Sequence, residues 1–531
     1  MSKKDYSVSE KESPPSVEEI KQIIRDQVED TISFCTQEQE ENNFWGVEKK
    51  LQNQISHLGC LFFQLYLMSF QKRLDYSKWL DSGLYYMGNL VGRNIKTIYG
   101  EVHFWRNYLI RKDKKGGVFY PLDTEIGLTR DGFSPLVMNL ATKLATRVSF
   151  GVSVILFKCF YGWSPSTESI EALVLGMGRD SSAYIKQVED WPKEGEILVI
   201  EVDGKATPTA REEELNKRRG KREKHRCCCQ RHRGKSKRQC RCRKKRRKKG
   251  DKSKNGRSIT LVVMYTLKLG EDGKLHGPIN KKIWGSFAPR KVMFAWARQQ
   301  ATKRGFPPDI SKRVHIVIDG EKCIYDGLSK LFPQASFALD IRHLEEKIWK
   351  VGHFFHKEGS KELEKWVEEK VELLYTGRAA ELIKKLKELK ISLSARAKRD
   401  KSKREAVSNL IQYMEPRLSM MDYQKLIEED LVIASGIVEG AARYVVGERM
   451  DCSGMRWIPE RAEALLRLRC IELNGDWDDF FEWGYKRWME KMRQGEKVII
   501  RQEKPDELSN IDSIDVVVKS DNEVDEYADI A

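Results

Sequence analysis

Two aspartates stand at the ends of apolar, β-branched runs. Residues 197–204 read ILVIEVDG and stop on Asp203; residues 314–320 read VHIVIDG and stop on Asp319. Runs of this length and composition predict buried strands, and the glycine after each acid marks a turn. A third acid, Glu439, lies in SGIVEGAARYVVGERM, which has the pattern of a helix. Convergent carboxylates suit hard divalent cations such as Mg²⁺ or Mn²⁺. Two such ions about 3.5–4 Å apart activate a water or hydroxyl and stabilise the departing oxygen of a phosphodiester. The expectation is that Asp203 bridges both ions, Asp319 binds one and Glu439 the other. The three are 116 and 120 residues apart, so no local motif joins them.

The elements that must position them follow in order. From residue 196 the pattern is ILVIEVDG, a basic segment, SITLVVMYTLKL, a Gly-rich turn, KKIWGSFA, helix KVMFAWARQQATKR, strand VHIVIDG, helix EKCIYDGLSKLF and strand ASFALDI. That βββαβαβ order, with an acid on strand one and at the end of strand four, matches an α/β, ribonuclease-H-like core. Residues 344–430 are helical without a strand and read as an all-helical insertion, so the core is split into 191–343 and 431–490. Residues 31–190 are expected to form a mostly helical domain: helical patterning runs from near Val28, and strand-like alternation covers 95–120. Two helical runs within 133–180 break at Tyr161-Gly162-Trp163-Ser164, with Ser164 as N-cap and Pro165 at the first helical position. This is the outline of a helix-turn-helix or, equally, of an ordinary helical hairpin. The second run carries no Arg or Lys before Arg179. Residues 1–30 and the acidic tail 500–531 are expected to be disordered.

The chain has 531 residues, 40% of them hydrophobic, with 13 Trp, enough for several cored domains. Its formal charge of +17 is concentrated: residues 217–257 hold 23 Lys/Arg against Glu223 and Asp251, leaving the remainder at −4. Such a block attracts polyanions by counterion release. No run approaches the ~18 apolar residues of a membrane span, and the polar start has no secretory h-region. The 11 Cys are odd in number and clustered, which points to a reducing, cytoplasmic setting rather than a disulfide framework. Within the basic insert (211–257), His225, Cys227, Cys228, Cys229, His232, Cys240 and Cys242 could ligate zinc, but their spacing fits no regular finger. The other reading is sequence-independent contact with DNA phosphates.

The stretches EVDGKATP, VIDGEKCIYDGL, ALDIRHLEEKIW and SGIVEGAARYVVGERMDCSGMRW, with FYPLDTEIGL and GFSPLVMNLATKLATRVSFGVSV upstream, resemble bacterial insertion-sequence transposases of the Kra group, relatives of the Mutator transposases. The resemblance covers roughly residues 90–485. It implies a ribonuclease-H-like fold with the triad Asp203, Asp319 and Glu439, and a supporting Asp-x-x-His motif at Asp340 and His343. It also implies double-stranded DNA as partner (element terminal repeats and target), action as a homo-oligomer, and a place on the prokaryotic nucleoid. Arg443, Arg449, Arg456 and Trp457, near Glu439, are expected to contact DNA or to pack the helix end. The chain departs from the family in its basic insert and in lacking a cysteine pair before PLD. The expected function is DNA transposition, with a structure-specific nuclease or an inactive DNA-binding descendant as alternatives.

Overall fold

The computed structural model describes residues 14–36, 43–113, 118–187, 195–210, 256–307, 313–394, 397–452 and 455–502. Most of the basic insert, with all of its cysteines and histidines, and most of the acidic tail lie outside the described residues. The described residues fall into two units: one runs to Tyr184 and resumes at Gly475, and the other is Ile185–Asn474.

In the first unit, helices α1 (Val17–Thr36) and α2 (Phe44–Arg73) lead to the short α3 (Ser77–Leu80). Strands β1 (Tyr85–Thr97), β2 (Gly100–Arg111) and β3 (Val118–Phe119) form an antiparallel sheet in that order. Ile20, Leu61, Leu67, Ile95 and Phe104 close its core between helices and sheet. Two expectations are corrected: α1 starts inside the segment read as disordered, and β1 begins ten residues before the strand-like stretch. Then come α4 (Pro121–Glu125), α5 (Pro135–Arg147), α6 (Phe150–Tyr161) and α7 (Thr167–Gln187). The first of the two predicted helical runs is thus itself broken, because the Ser149 side chain caps α6 through Val152 N. The cap of α7 is Ser166, whose hydroxyl accepts from Ser169 N at 3.1 Å; Ser164 instead bonds the Pro165 carbonyl. Helix α7 is buried all round from Ala172 to Gly178, as befits a core helix.

The second unit is built on a five-stranded mixed sheet. Strands β4 (Ile197–Pro208), β5 (Gly256–Leu269) and β6 (Leu275–Ser286) are antiparallel neighbours. Helix α8 (Arg290–Lys303) leads to β7 (Val314–Ile318), and α9 (Lys322–Leu331) to β8 (Ser336–Leu339), both parallel to β4. The order is β6-β5-β4-β7-β8, so β4 is central, and Leu198, Val199 and Ile200 are wholly buried. An apolar run without alternation is what a strand covered on both faces requires.

Six helical segments follow without a described strand: α10 (Ile341–Gly352), α11 (Lys361–Tyr375), α12 (Ala379–Ser392), α13 (Lys398–Met414), a 3₁₀ segment (Glu415–Met420) and α14 (Tyr423–Glu428). Helix α15 (Gly436–Ala441) then widens into a π-type turn (Ala442–Gly447) and ends as α16 (Glu448–Met450). The carbonyls of Tyr444 and Val445 in that turn accept from buried Arg469 on α17 (Pro459–Leu473). The last helix, α18 (Trp477–Arg493), belongs to the first unit, although the sequence reading carries the core on to residue 490. No helix among the described residues is long and apolar enough to cross a membrane.

His315, buried in β7, has both ring nitrogens engaged: Nδ1 is 2.8 Å from Ser336 Oγ and Nε2 2.6 Å from the Val432 carbonyl. A carbonyl only accepts, so Nε2 carries the proton and Nδ1 accepts from the serine. Burial pushes its pKa down to about 4, against the opposing pull of the Val432 carbonyl. The unfolded chain then binds a proton that the folded one refuses. Stability should therefore be full above pH ~6.5 and fall by up to about 3 kcal/mol as the pH drops toward 4. Urea unfolding across this range should show a shallower acid loss in His315→Gln than in the parent; equal slopes would contradict this account.

Candidate metal centre

Register places the acids. Val202 of β4 pairs with Ile318 of β7, and Ile318 pairs with Leu339 of β8. The next residue after each of these is an aspartate, so Asp203, Asp319 and Asp340 stand side by side where β7 and β8 stop; the expected strand end and turn at Asp203-Gly204 is corrected, because β4 stays paired with β5 as far as Pro208. The Asp340 amide donates to the Ile318 carbonyl at 2.9 Å, which locks the last two together.

Glu439 reaches that row from α15. Glu201 is wholly buried on β4, two residues before Asp203 and therefore on the same face. Its Oε1 accepts from the Tyr265 hydroxyl and its Oε2 from the Val438 amide, both at 2.8 Å. A carboxylate at a helix N-terminus meets unpaired N–H groups and the positive end of the dipole. Asp340 adds a second anchor: it is buried, caps α10 through the Arg342 amide at 2.9 Å, and accepts from the Ser435 hydroxyl just before α15. Sequence reading passed over Glu201. Its signal was an acid inside an otherwise apolar strand, where an ionisable side chain must have partners.

Asp340, His343 and Glu439 present one ligand atom each, all within 4.8 Å of one another. His343 Nδ1 lies 3.7 Å from Asp340 Oδ2 and 3.9 Å from Glu439 Oε1. Burial, then the Asp340 carboxylate, raises the Glu439 carboxyl above its ordinary range, and Asp203 adds to the effect. Burial also raises Asp203; the charge of Asp319 adds to this, while the Gly204 amide and the charges of His343 and Lys205 oppose it. The carboxylates therefore feel one another. Among the described residues the tight ligand cluster includes Asp340 and His343, read from sequence only as support, with Asp203 and Asp319 beside it in that row.

The helical insertion holds Asp319 from behind. Tyr413 Oη donates to the Asp319 carbonyl at 2.7 Å, Arg417 Nε to Gly320 at 2.5 Å, and Tyr423 Oη to Leu339 at 2.8 Å. Gly320 has φ +84°, and a Cβ there would come within 2.8 Å of Tyr413 Oη and 2.9 Å of Arg417 Nε. Lys347 and Arg417 both sit over the Tyr413 ring, at 4.3 and 4.4 Å from its centroid. Burial, then the neighbouring cations Lys350 and Arg417, lowers the Lys347 pKa. On the other side, Arg290 packs against Gly204 and bonds Glu321 and Cys323. Cations thus flank the acids.

Of the four residues expected to meet DNA, Arg443 and Arg456 are exposed. Arg449 and Trp457 are buried against each other, the guanidinium 5.1 Å from the ring centroid. Trp457 Nε1 donates to the Met450 carbonyl, and its backbone bridges to the end of β4. These two therefore pack the turn after α16. The candidate zinc ligands Cys227, Cys228, Cys229, Cys240 and Cys242 lie outside the described residues.

No model of a known protein family matches the chain, and no curated protein matches it.

Replacing Glu201 with Ala leaves the Tyr265 hydroxyl and the Val438 amide without their buried acceptor. We expect a loss of about 2–4 kcal/mol in urea unfolding. A loss below about 1 kcal/mol would show that α15 is held by other contacts.

Proposed function

We propose that the protein is a metal-dependent polynucleotidyl transferase with a ribonuclease-H-like core, acting as a DNA transposase. One observation supports the reading: the register β4-β7-β8 sets three aspartates in a row, Asp203 within β4 and Asp319 and Asp340 just after β7 and β8, and α15 brings Glu439 beside them. The sequence resemblance to Kra-group transposases points the same way.

The donor set fits a hard divalent cation. It consists of carboxylate oxygens with one imidazole, crowded so that two carboxyls are raised by burial and by their neighbours' charge. Asp203, Asp319 and Glu439 would hold Mg²⁺ or Mn²⁺, with Asp340 and His343 in reach; an imidazole is more at home with Mn²⁺. Such ions, when bound, stabilise the attacking and leaving oxygens of a phosphodiester. The protein's own residues do the rest. Glu201 and Asp340 fix α15, and with it the direction of Glu439. Tyr413 and Arg417 fix the backbone at Asp319 and Gly320. Lys347, Arg417 and Arg290 offer positive charge to the phosphates of a strand that must approach four acids. One site would serve both hydrolysis at an element end and attack by the freed 3′-hydroxyl, because both are displacements at phosphorus.

The decisive assay is nicking of a labelled duplex carrying the sequence that flanks the gene, with Mg²⁺ or Mn²⁺. Asp203→Asn, Asp319→Asn and Glu439→Gln should each lower the rate on the order of 10³-fold while DNA retention persists. Unimpaired cleavage in any of them would remove that residue from the set. Joining of the cut strand to a second duplex separates a transposase from a nuclease. Bound Mn²⁺, followed by its paramagnetic resonance, should be lost in the same variants.

Lys347→Ala should weaken DNA binding and make the salt slope shallower by about one. An unchanged slope would exclude Lys347 from phosphate contact.

A further inference from the structure

The first unit contains a cavity of about 190 Å³ that the reading above does not use. Its floor is Asp123, the acid of the PLD stretch, carried on α4 and buried. Arg93 lies 2.6 Å and Arg106 3.0 Å from its carboxylate oxygens. Two guanidiniums thus share one carboxylate, so the buried cluster keeps a net positive charge. The Arg106 guanidinium lies 3.8 Å from the centroid of the Tyr120 ring. Tyr120 lines the cavity together with Tyr85 and Phe119, whose ring centroids are 6.4 Å apart. Arg111, Arg130 and Lys497 also line it, with Glu496 as the opposing acid, and Arg130, Glu496 and Lys497 are exposed. Arg111 pairs with Asp113 through Nη2, yet its Nε is buried with no hydrogen-bond partner among the described residues.

Size and chemistry narrow the ligand. The volume is below the roughly 300 Å³ at which pockets for whole small molecules begin, which leaves room for one ring system and not for an entire cofactor. A bare phosphate would have no use for three aromatic side chains. A neutral ring would have no use for three cationic ones. Planar rings stack on bases of any sequence, and guanidiniums bind phosphate.

We propose that this cavity takes the base of a single nucleotide, among Tyr85, Phe119 and Tyr120, while the sugar stays outside and the phosphate lies at the mouth with Arg111, Arg130 and Lys497. The nucleotide could come from a DNA strand with one base out of the stack, or be free in solution; the chemistry is the same. The proposal goes beyond the metal-centre reading and does not depend on it.

The test uses the full chain and the fluorescence of 2-aminopurine, as its deoxynucleoside monophosphate and inside a short single strand. Saturable quenching of either probe, weakened about tenfold or more in Arg130→Ala/Lys497→Ala and in Tyr85→Leu, is the expected result. Tighter binding of the strand than of the monophosphate, with that advantage lost in Tyr85→Leu, identifies a strand as the source; equal binding, or an advantage that Tyr85→Leu keeps, identifies the free nucleotide. Asp319→Asn should bind both probes like the parent, so failure of the metal-centre reading leaves this result intact. Three results would each overturn the proposal. One is the absence of saturable quenching by both probes. Another is binding that survives both sets of substitutions. The third is displacement of the probe by inorganic phosphate at the same concentration as by unlabelled nucleotide.

Discussion

A buried carboxylate needs partners, and in this protein the partners of Glu201 organise the site. Removing an ionised group from water costs several kcal/mol unless hydrogen bonds replace the lost solvation. Here they come from the Tyr265 hydroxyl on β5 and the Val438 amide at the start of α15. Burial nevertheless leaves the Glu201 carboxyl raised. Helix α15 and its continuation reach only from Gly436 to Met450 and contain a π-type turn, which makes the run marginal alone. Its position is therefore a tertiary property, set where Glu201 and Asp340 hold its first turn. Glu439, one residue beyond Val438, inherits that position.

The helical insertion has a comparable role on the other side. It lies between β8, which leads to Asp340, and the helix that carries Glu439, yet it binds back to the ends of β7 and β8. Tyr413, Arg417 and Tyr423 each donate to a backbone carbonyl at the end of β7 or β8. A strand end is where ladder hydrogen bonds stop, so such carbonyls need other donors. By supplying them the insertion fixes the Asp-Gly turn and brings Lys347 and Arg417 beside the acids. Gly320 makes this approach possible, because a side chain there would occupy the space of the Tyr413 and Arg417 donors.

Much of the second unit was legible. The apolar runs that reach Asp203 and Asp319 are strands, the expected order of strands and helices is present, and the insertion holds helices and no strand among its described residues. The first unit was less so. Strand β1 runs YYMGNLVGRNIKT, with glycines and asparagines that weaken the period-two signal, and neighbouring aromatic rings fill the space at two of its glycines, Tyr108 at Gly88 and His103 at Gly92. The cap of α7 was misread by two residues because Ser164 and Ser166 look equivalent in sequence. Only the hydrogen bond to Ser169 separates them. Arg449 and Trp457 had the residue types of nucleic-acid contacts, but exposure is not written in residue type.

By itself the sequence determined most strands and helices of the second unit and the acids that follow their apolar runs, because periodicity and turn residues act over a few positions; that β4 continues through Asp203 and Gly204 to Pro208 was set by its pairing with β5. The tertiary structure decided which acids meet. Strand register aligned Asp203, Asp319 and Asp340. A hydrogen bond spanning 237 residues, from Val438 to Glu201, brought in Glu439. Packing turned Asp340 and His343 from distant neighbours of Glu439 into members of one ligand cluster. Such contacts depend on three-dimensional closure, for which no local pattern in the chain carries a signal.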